Sequence, residues 1–80
     1  MNPQKLVKMA NGIASFFETE PDRKIALEGI AGHIKRFWDP RMRREIVRHY
    51  REGGAGLSTA ARSGVGLIAD EIAATPGPRT

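Results

Sequence analysis

The chain has 80 residues, no cysteine and a formal net charge of +4 at pH 7. A chain of this length forms one small domain with a modest core, and without cysteine it has no disulfide, thiolate zinc site or cysteine-ligated iron–sulfur cluster. No apolar run approaches the roughly 18 residues that favour a membrane span, and no apolar segment typical of a signal peptide follows the first lysines. We therefore predict a small cytoplasmic protein without a membrane partner.

The first helix is predicted to begin after Asn2, because Asn followed by Pro is a typical helix start. Behind this start, apolar residues recur at helical spacing. They are Leu6, Met9, Ile13, Phe16 and Phe17. We expect the helix to end near Glu18.

The segment from Thr19 to Asp22 is predicted to break this helix and start a second one, with Pro21 in its first turn and acidic residues beside the positive end of its dipole. Its apolar stripe is predicted to consist of Leu27, Ile30, Ile34, Phe37 and Trp38. Trp38, the only tryptophan, leaves two interpretations open. It closes this stripe as a core residue, or it serves as a partly exposed anchor in an interface, and the two roles can overlap.

The third helix is predicted to begin at the Asp39-Pro40 step and to end at Gly53, where glycine can adopt a left-handed conformation. Its two sides differ in character. Met42, Ile46, Val47 and Tyr50 lie on one side, and Arg41, Arg44, Arg48 and Arg51 lie on the other.

Ser58 is expected to cap a last helix over about Thr59 to Ala74. Gly64 and Gly66 weaken this helix, because glycine costs roughly 1 kcal/mol relative to alanine in a helix interior. The sequence thus predicts an all-α fold, a small bundle of three helices plus a weaker C-terminal helix. Residues 1–74 form one domain and residues 75–80 a flexible tail.

The positive charge is concentrated in one part of the chain. Between His33 and Arg51, seven lysines and arginines stand against two acidic residues, and the rest of the chain is slightly acidic. Such a patch indicates a negatively charged partner, which could be nucleic acid, a phosphate-bearing cofactor or an acidic protein surface.

No catalytic, cofactor-binding or metal-ligating residue is predicted in this chain. His33 and His49 lie on different predicted helices, and two histidines without cysteine fall short of the three or four ligands of a zinc site. The segment Gly53–Gly56 follows no strand and lacks the lysine of a phosphate-binding loop. It is interpreted as a helix C-cap and tight turn, or alternatively as a loop that a partner's backbone approaches closely.

Four segments carry a resemblance to a known family. They are Met9–Phe17, Glu20–Arg23, Gly29–Arg43 and Gly53–Leu57. Across roughly Leu6 to Leu57, the chain resembles the small delta subunit of soluble NAD-dependent formate dehydrogenases that contain molybdenum or tungsten. The string Phe-Trp-Asp-Pro-Arg-Met-Arg carries most of the specificity.

The resemblance implies a cytoplasmic complex that oxidises formate to CO2 and passes the electrons to NAD+. In that family, the catalytic alpha subunit holds the bis-molybdopterin guanine dinucleotide centre (bis-MGD, with Mo or W), and iron–sulfur clusters and FMN are distributed over the alpha, beta and gamma subunits. The delta subunit has no redox centre, and its role is assembly and stability of the complex, with a part in insertion or retention of the molybdenum cofactor.

The predicted contact surface follows from these residue types and from the resemblance. It comprises Phe37, Trp38, Asp39, Pro40, Arg41, Met42, Arg43, Arg44 and Arg48 at the corner and on the basic helix, with Gly53, Gly54, Gly56 and Leu57 in the loop. Two alternatives stay open. One is a chaperone that inserts the cofactor and then leaves, and the other is a small basic helical domain that binds nucleic acid through phosphate contacts.

Overall fold

The computed structural model describes residues 2–74, and over these residues the chain is entirely helical apart from its connections. The four helices are α1 (Pro3–Phe17), α2 (Arg23–Phe37), α3 (Pro40–Arg51) and α4 (Thr59–Ala74). The predicted all-α fold is confirmed, and α4 has the bounds that its sequence predicts. The predicted flexible tail, residues 75–80, lies outside the described residues.

Side-chain caps set where the helices begin. The Oδ1 of Asn2 accepts a hydrogen bond from the backbone N–H of Gln4 at 2.8 Å, and Asp39 Oδ1 accepts one from Met42 N–H at 2.9 Å. These bonds satisfy donors that the first turn of a helix leaves without an internal partner. Ser58 caps α4 in the same way, with its Oγ 3.2 Å from the N–H of Ala61.

The start of α2 lies two residues later than the sequence predicts. Asp22 is the cap, and its Oδ1 accepts hydrogen bonds from Lys24 and Ile25 at 2.9 and 3.2 Å. Pro21 therefore precedes the cap, and its prediction as a first-turn residue was wrong. A carboxylate that satisfies two orphan N–H groups outweighs the preference of proline for the first turn.

The core lies where α1, α2 and α3 pack around α4. Leu6, Ile30, Ile34, Ile46 and Val65 are its largest fully buried side chains. The two glycines of α4 let neighbours approach its backbone. A Cβ at position 64 would lie 2.9 Å from Ile30 Cβ, and one at position 66 would lie 3.0 Å from the hydroxyl of Tyr50. Tertiary packing therefore offsets the propensity cost that made α4 appear weak.

The apolar stripe predicted for α2 is wrong at its C-terminal end. Phe37 is the last residue of α2 and is 67% exposed. Trp38 follows in an extended conformation (φ −90°, ψ 142°) and is only 5% exposed. The helix ends between the two aromatic residues, so the chain turns Trp38 into the core while Phe37 stays outside.

Four other large apolar side chains of the described residues also lie at the surface rather than in the core: Met9, Phe16, Ile25 and Ile72. Phe16 is 75% exposed, although its spacing in α1 predicts an apolar face, and Ile72 of α4 is exposed as well. The buried stripe of α1 consists instead of Leu6, Val7, Ala10 and Ala14.

Candidate docking surfaces

The arginine face of α3 consists of Arg41, Arg44, Arg48 and Arg51. All four side chains are exposed, as the spacing predicts. Within residues 2–74, the arginine face makes one ion pair, between Arg48 Nε and Glu52 Oε2 at 3.5 Å. Such an exposed pair contributes little, so most of the positive charge of this face stays available to an external anion.

A groove between α3 and α4 runs along this face. It has a volume of about 400 Å³ and is lined by Arg44, Val47, Arg48, Arg51, Glu52 and Ile72. An exposed isoleucine beside arginines suits a partner surface with acidic and apolar residues next to each other.

Arg43 does not belong to the arginine face. Its Nη1 donates hydrogen bonds to the carbonyl oxygens of Lys35 at 2.7 Å and Trp38 at 3.1 Å. Both acceptors lie at the C-terminal end of α2, where carbonyl groups lack helical partners and the dipole favours a cation. Arg43 thus fixes α3 against the end of α2, a role that its spacing in the sequence does not reveal.

Between Phe37 and Arg44, the predicted contact residues divide between surface and interior. Phe37, Asp39, Pro40, Arg41 and Arg44 are exposed, Met42 and Arg43 are half-buried, and Trp38 is buried. Trp38 is thus a core residue that also lines a groove, and its part in an interface stays a prediction. Phe37–Arg44 as a whole stays a predicted contact surface.

The glycine loop ends α3 with a hydrogen-bonded C-cap. Gly53, Gly54 and Gly56 have positive φ angles of 118°, 64° and 87°. Gly54 N–H donates to the carbonyl of His49 at 2.9 Å, and Gly53 N–H to that of Tyr50 at 3.1 Å. This pair of bonds is the Schellman motif, which glycine forms without strain.

Side chains from α1 and α4 hold this loop in place. Arg62 Nη1 and Nη2 donate to the carbonyls of Gly53 and Gly54 at 2.8 and 3.2 Å. Asn11 Nδ2 donates to the Gly56 carbonyl at 3.0 Å, while its Oδ1 accepts from Ser58 N–H at 2.9 Å. The structure thus gives the loop the C-cap role. Gly54 and Leu57 are buried, while Gly53 and Gly56 are exposed.

A further surface, which the sequence interpretation missed, lies between α1 and α2. The α1–α2 groove has a volume of about 510 Å³ and is lined by Met9, Gly12, Ile13, Phe16, Phe17, His33 and Trp38. The ring of Phe37 packs on His33 with 4.7 Å between centroids. One feature of the sequence could have indicated this groove. Helix α1 carries more apolar residues than a single buried stripe can accommodate, and Met9 and Phe16 lie beside the buried stripe.

Residues 2–74 include no group of three or more histidine or carboxylate side chains placed to hold a metal ion. No helix among them is long and apolar enough to cross a membrane.

The fold and these surfaces define a small all-helical domain whose distinctive exposed features are suited to binding another macromolecule. The protein-family model of the NADH-dependent formate dehydrogenase delta subunit, FdsD, matches residues 5–65. The chain therefore belongs to this family. The match extends beyond Leu57, the end of the resemblance described above, into the first part of α4. No curated protein and no solved structure matches the chain.

Proposed function

We propose that this chain is a non-catalytic subunit of an NADH-dependent formate dehydrogenase, which docks on the catalytic alpha subunit and supports its assembly and stability. The observation that carries the proposal is the family match over residues 5–65. The arginine face also supports the proposal. Its guanidinium groups are exposed and make little contact within the fold, so they can contribute to the free energy of binding a partner.

The physical argument concerns like charges on one helix face. Arg41, Arg44, Arg48 and Arg51 follow one another at helical neighbour spacing, where like charges repel and destabilise an isolated helix. An acidic surface on the partner removes this repulsion and forms charge-assisted hydrogen bonds with the guanidinium groups. Arginine is also among the residue types that dominate binding energy at interfaces.

In the complete complex, we place the bis-MGD centre with Mo or W, the iron–sulfur clusters and FMN in the alpha, beta and gamma subunits. The described residues of this chain include no cluster of three or more side chains placed to hold a metal ion, and the redox steps belong to the other subunits. The action of this chain is mechanical: it covers and orders part of the catalytic subunit in the cytoplasm, and by doing so helps to insert or retain the molybdenum cofactor.

The test is a tagged pull-down of the full chain from its native cells, with mass spectrometry and an assay of formate-dependent NAD+ reduction. We expect the alpha, beta and gamma subunits at one copy of this chain per alpha subunit. Recovery only from immature, cofactor-free enzyme would replace the integral subunit with an insertion chaperone. Recovery of nucleic acid alone, with binding that falls steeply as salt rises, would replace it with the basic-domain alternative.

A charge-reversal pair tests the arginine face. R41E/R44E should lose most of the co-purified alpha subunit. The matched control is R23E/K24E, which makes the same change in net charge at the start of α2, where acidic residues are compatible with the helix dipole. Equal recovery with both variants would show that the arginine face is not the contact. Arg43 is left unchanged because its side chain holds the end of α2.

A further inference from the structure

Three of the five large apolar side chains that are exposed among residues 2–74 line the α1–α2 groove or the groove that adjoins it. Met9 and Phe16, exposed by 39% and 75%, line it from α1. Phe37 packs on His33 at its α2 side and lines an adjoining groove with Phe17, His33 and Arg36. Aromatic residues concentrated at one place on a small domain mark an interaction surface.

Two glycines beside these side chains have no explanation within the chain. A Cβ at Gly12 or at Gly32 would meet nothing within 4 Å. The other helical glycines, Gly29, Gly64 and Gly66, lie close against Phe17, Ile30 and Tyr50. Glycine destabilises a helix interior, and in this fold it otherwise occurs where another side chain comes close. The open backbone at Gly12 and Gly32 thus allows an element from outside to approach α1 and α2 equally closely.

The shape and charge of the site indicate what this element is. Met9 and Phe16 are two helical turns apart, so the groove offers a straight path beside α1 that fits an apolar helix face. Lys5 precedes Met9 by one turn on the same side of α1, and Arg36 lies with Phe37 at the C-terminal end of α2. Since α1 and α2 form a hairpin, both cations lie toward one end of the groove. Toward the other end, the acidic residues Glu18, Glu20, Asp22 and Glu28 outnumber the basic residues Arg23 and Lys24.

We propose that the α1–α2 groove receives an amphipathic helix of the catalytic subunit. This helix places large apolar side chains over Gly12 in the α1–α2 groove and over Gly32 in the adjoining groove, and an acidic residue near Lys5 and Arg36. The inference rests on the proposed function and adds to it a second, apolar contact, separate from the arginine face on α3. The aromatic side chains supply the buried centre of the contact, and the charges at the two ends fix the direction of the bound helix.

The experiment compares two groove variants of the tagged full chain with two matched controls in the native cells. G12L fills the open space of the groove, and its control S15L adds the same side chain at an exposed position of α1 outside the groove. F16S removes an exposed apolar side chain from the groove, and its control I25S removes one from α2 elsewhere. The readouts are the alpha subunit recovered per tagged chain and the helix content of each purified variant.

We expect G12L and F16S to lower recovery of the alpha subunit at least tenfold, while S15L and I25S leave it within about twofold of the unchanged chain. All four should keep the helix content of the unchanged chain. Recovery of the alpha subunit with G12L and F16S at the level of the controls would overturn the inference. So would a dimer of the purified chain that G12L converts to monomer without affecting recovery, since the occupant would then be a second copy.

Failure of the proposed function gives a different result. In that case the unchanged chain itself recovers no alpha subunit, and the inference about the groove falls with it. If the unchanged chain and all four variants recover it equally, the proposed function holds and only the groove contact is wrong.

Discussion

The side chain of Ile30 lies directly over the Cα of Gly64, so that a Cβ at position 64 would come within 2.9 Å of Ile30 Cβ. This contact sets how closely α2 and α4 approach each other. G64A should therefore destabilise the chain, because overpacking costs about 1–3 kcal/mol and outweighs the gain in helix propensity of about 1 kcal/mol. Urea unfolding of the purified chain measures the difference.

G12A is the control for this prediction. Position 12 lies in α1 with nothing within 4 Å of the added Cβ, so only the propensity gain remains, and the free energy of unfolding should rise by up to about 1 kcal/mol. If both substitutions stabilise the chain, α2 and α4 do not approach each other at Gly64 as described.

Removal of the Arg43 guanidinium should destabilise the fold. R43Q shortens the side chain and leaves the carbonyls of Lys35 and Trp38 without their donor, at a cost of about 1–2 kcal/mol. R41Q, on the exposed arginine face, should change the free energy of unfolding by less than about 0.5 kcal/mol. Thermal unfolding followed by circular dichroism compares the two. Equal effects would contradict the separate roles of these arginines.

Asn11 should matter more to stability than other polar residues of α1. N11A removes the hydrogen bonds to the Gly56 carbonyl and from Ser58 N–H, and the second of these is partly buried. Its loss should cost about 1–2 kcal/mol. Q4A is the control, since the Gln4 amide side chain makes no hydrogen bond among residues 2–74. A loop that stays equally ordered in N11A, by amide hydrogen exchange, would show that Asn11 does not hold it.

Trp38 should behave as a core residue. Because it is 5% exposed, its fluorescence should be shifted to the blue of free tryptophan and resist quenching by acrylamide. W38A should cost about 3–5 kcal/mol, a large part of the stability of a small domain, while W38F should be tolerated much better. Emission like that of tryptophan in water would contradict the burial of this side chain.

Local signals predicted the helices well. The caps at Asn2, Asp39 and Ser58 act through hydrogen bonds to N–H groups two or three residues away, so the sequence alone indicates them. The end of α2 was harder to predict. The helical spacing of apolar residues predicts which side chains share a face only while the helix continues. At Trp38 the backbone becomes extended, so this spacing no longer predicts which way the side chain points.

The features that the sequence could not reveal depend on distant parts of the chain. In the sequence, Gly64 is only an unfavourable residue in a helix, and its role becomes visible once Ile30 packs against it. Likewise, Arg43 differs from Arg41 and Arg44 only because the carbonyl groups at the end of α2 lie beside it. The α1–α2 groove also needs the packed hairpin, because only then do Phe16 and His33 line one space. Spacing within a single helix contains none of this information.

The α1–α2 groove has a consequence for the lifetime of the chain in the cell. On the groove contact proposed above, a copy without the catalytic subunit keeps Phe16 and Phe37 in water, and cells remove proteins that show exposed apolar surface through chaperones and proteases. We expect unassembled copies to be degraded faster than assembled ones. In a pulse-chase measurement, loss of the catalytic subunit should therefore shorten the half-life of this chain. An unchanged half-life would contradict this expectation. F16S should lengthen the half-life of the orphan chain, and turnover would then keep the two subunits in equal amounts without matched synthesis.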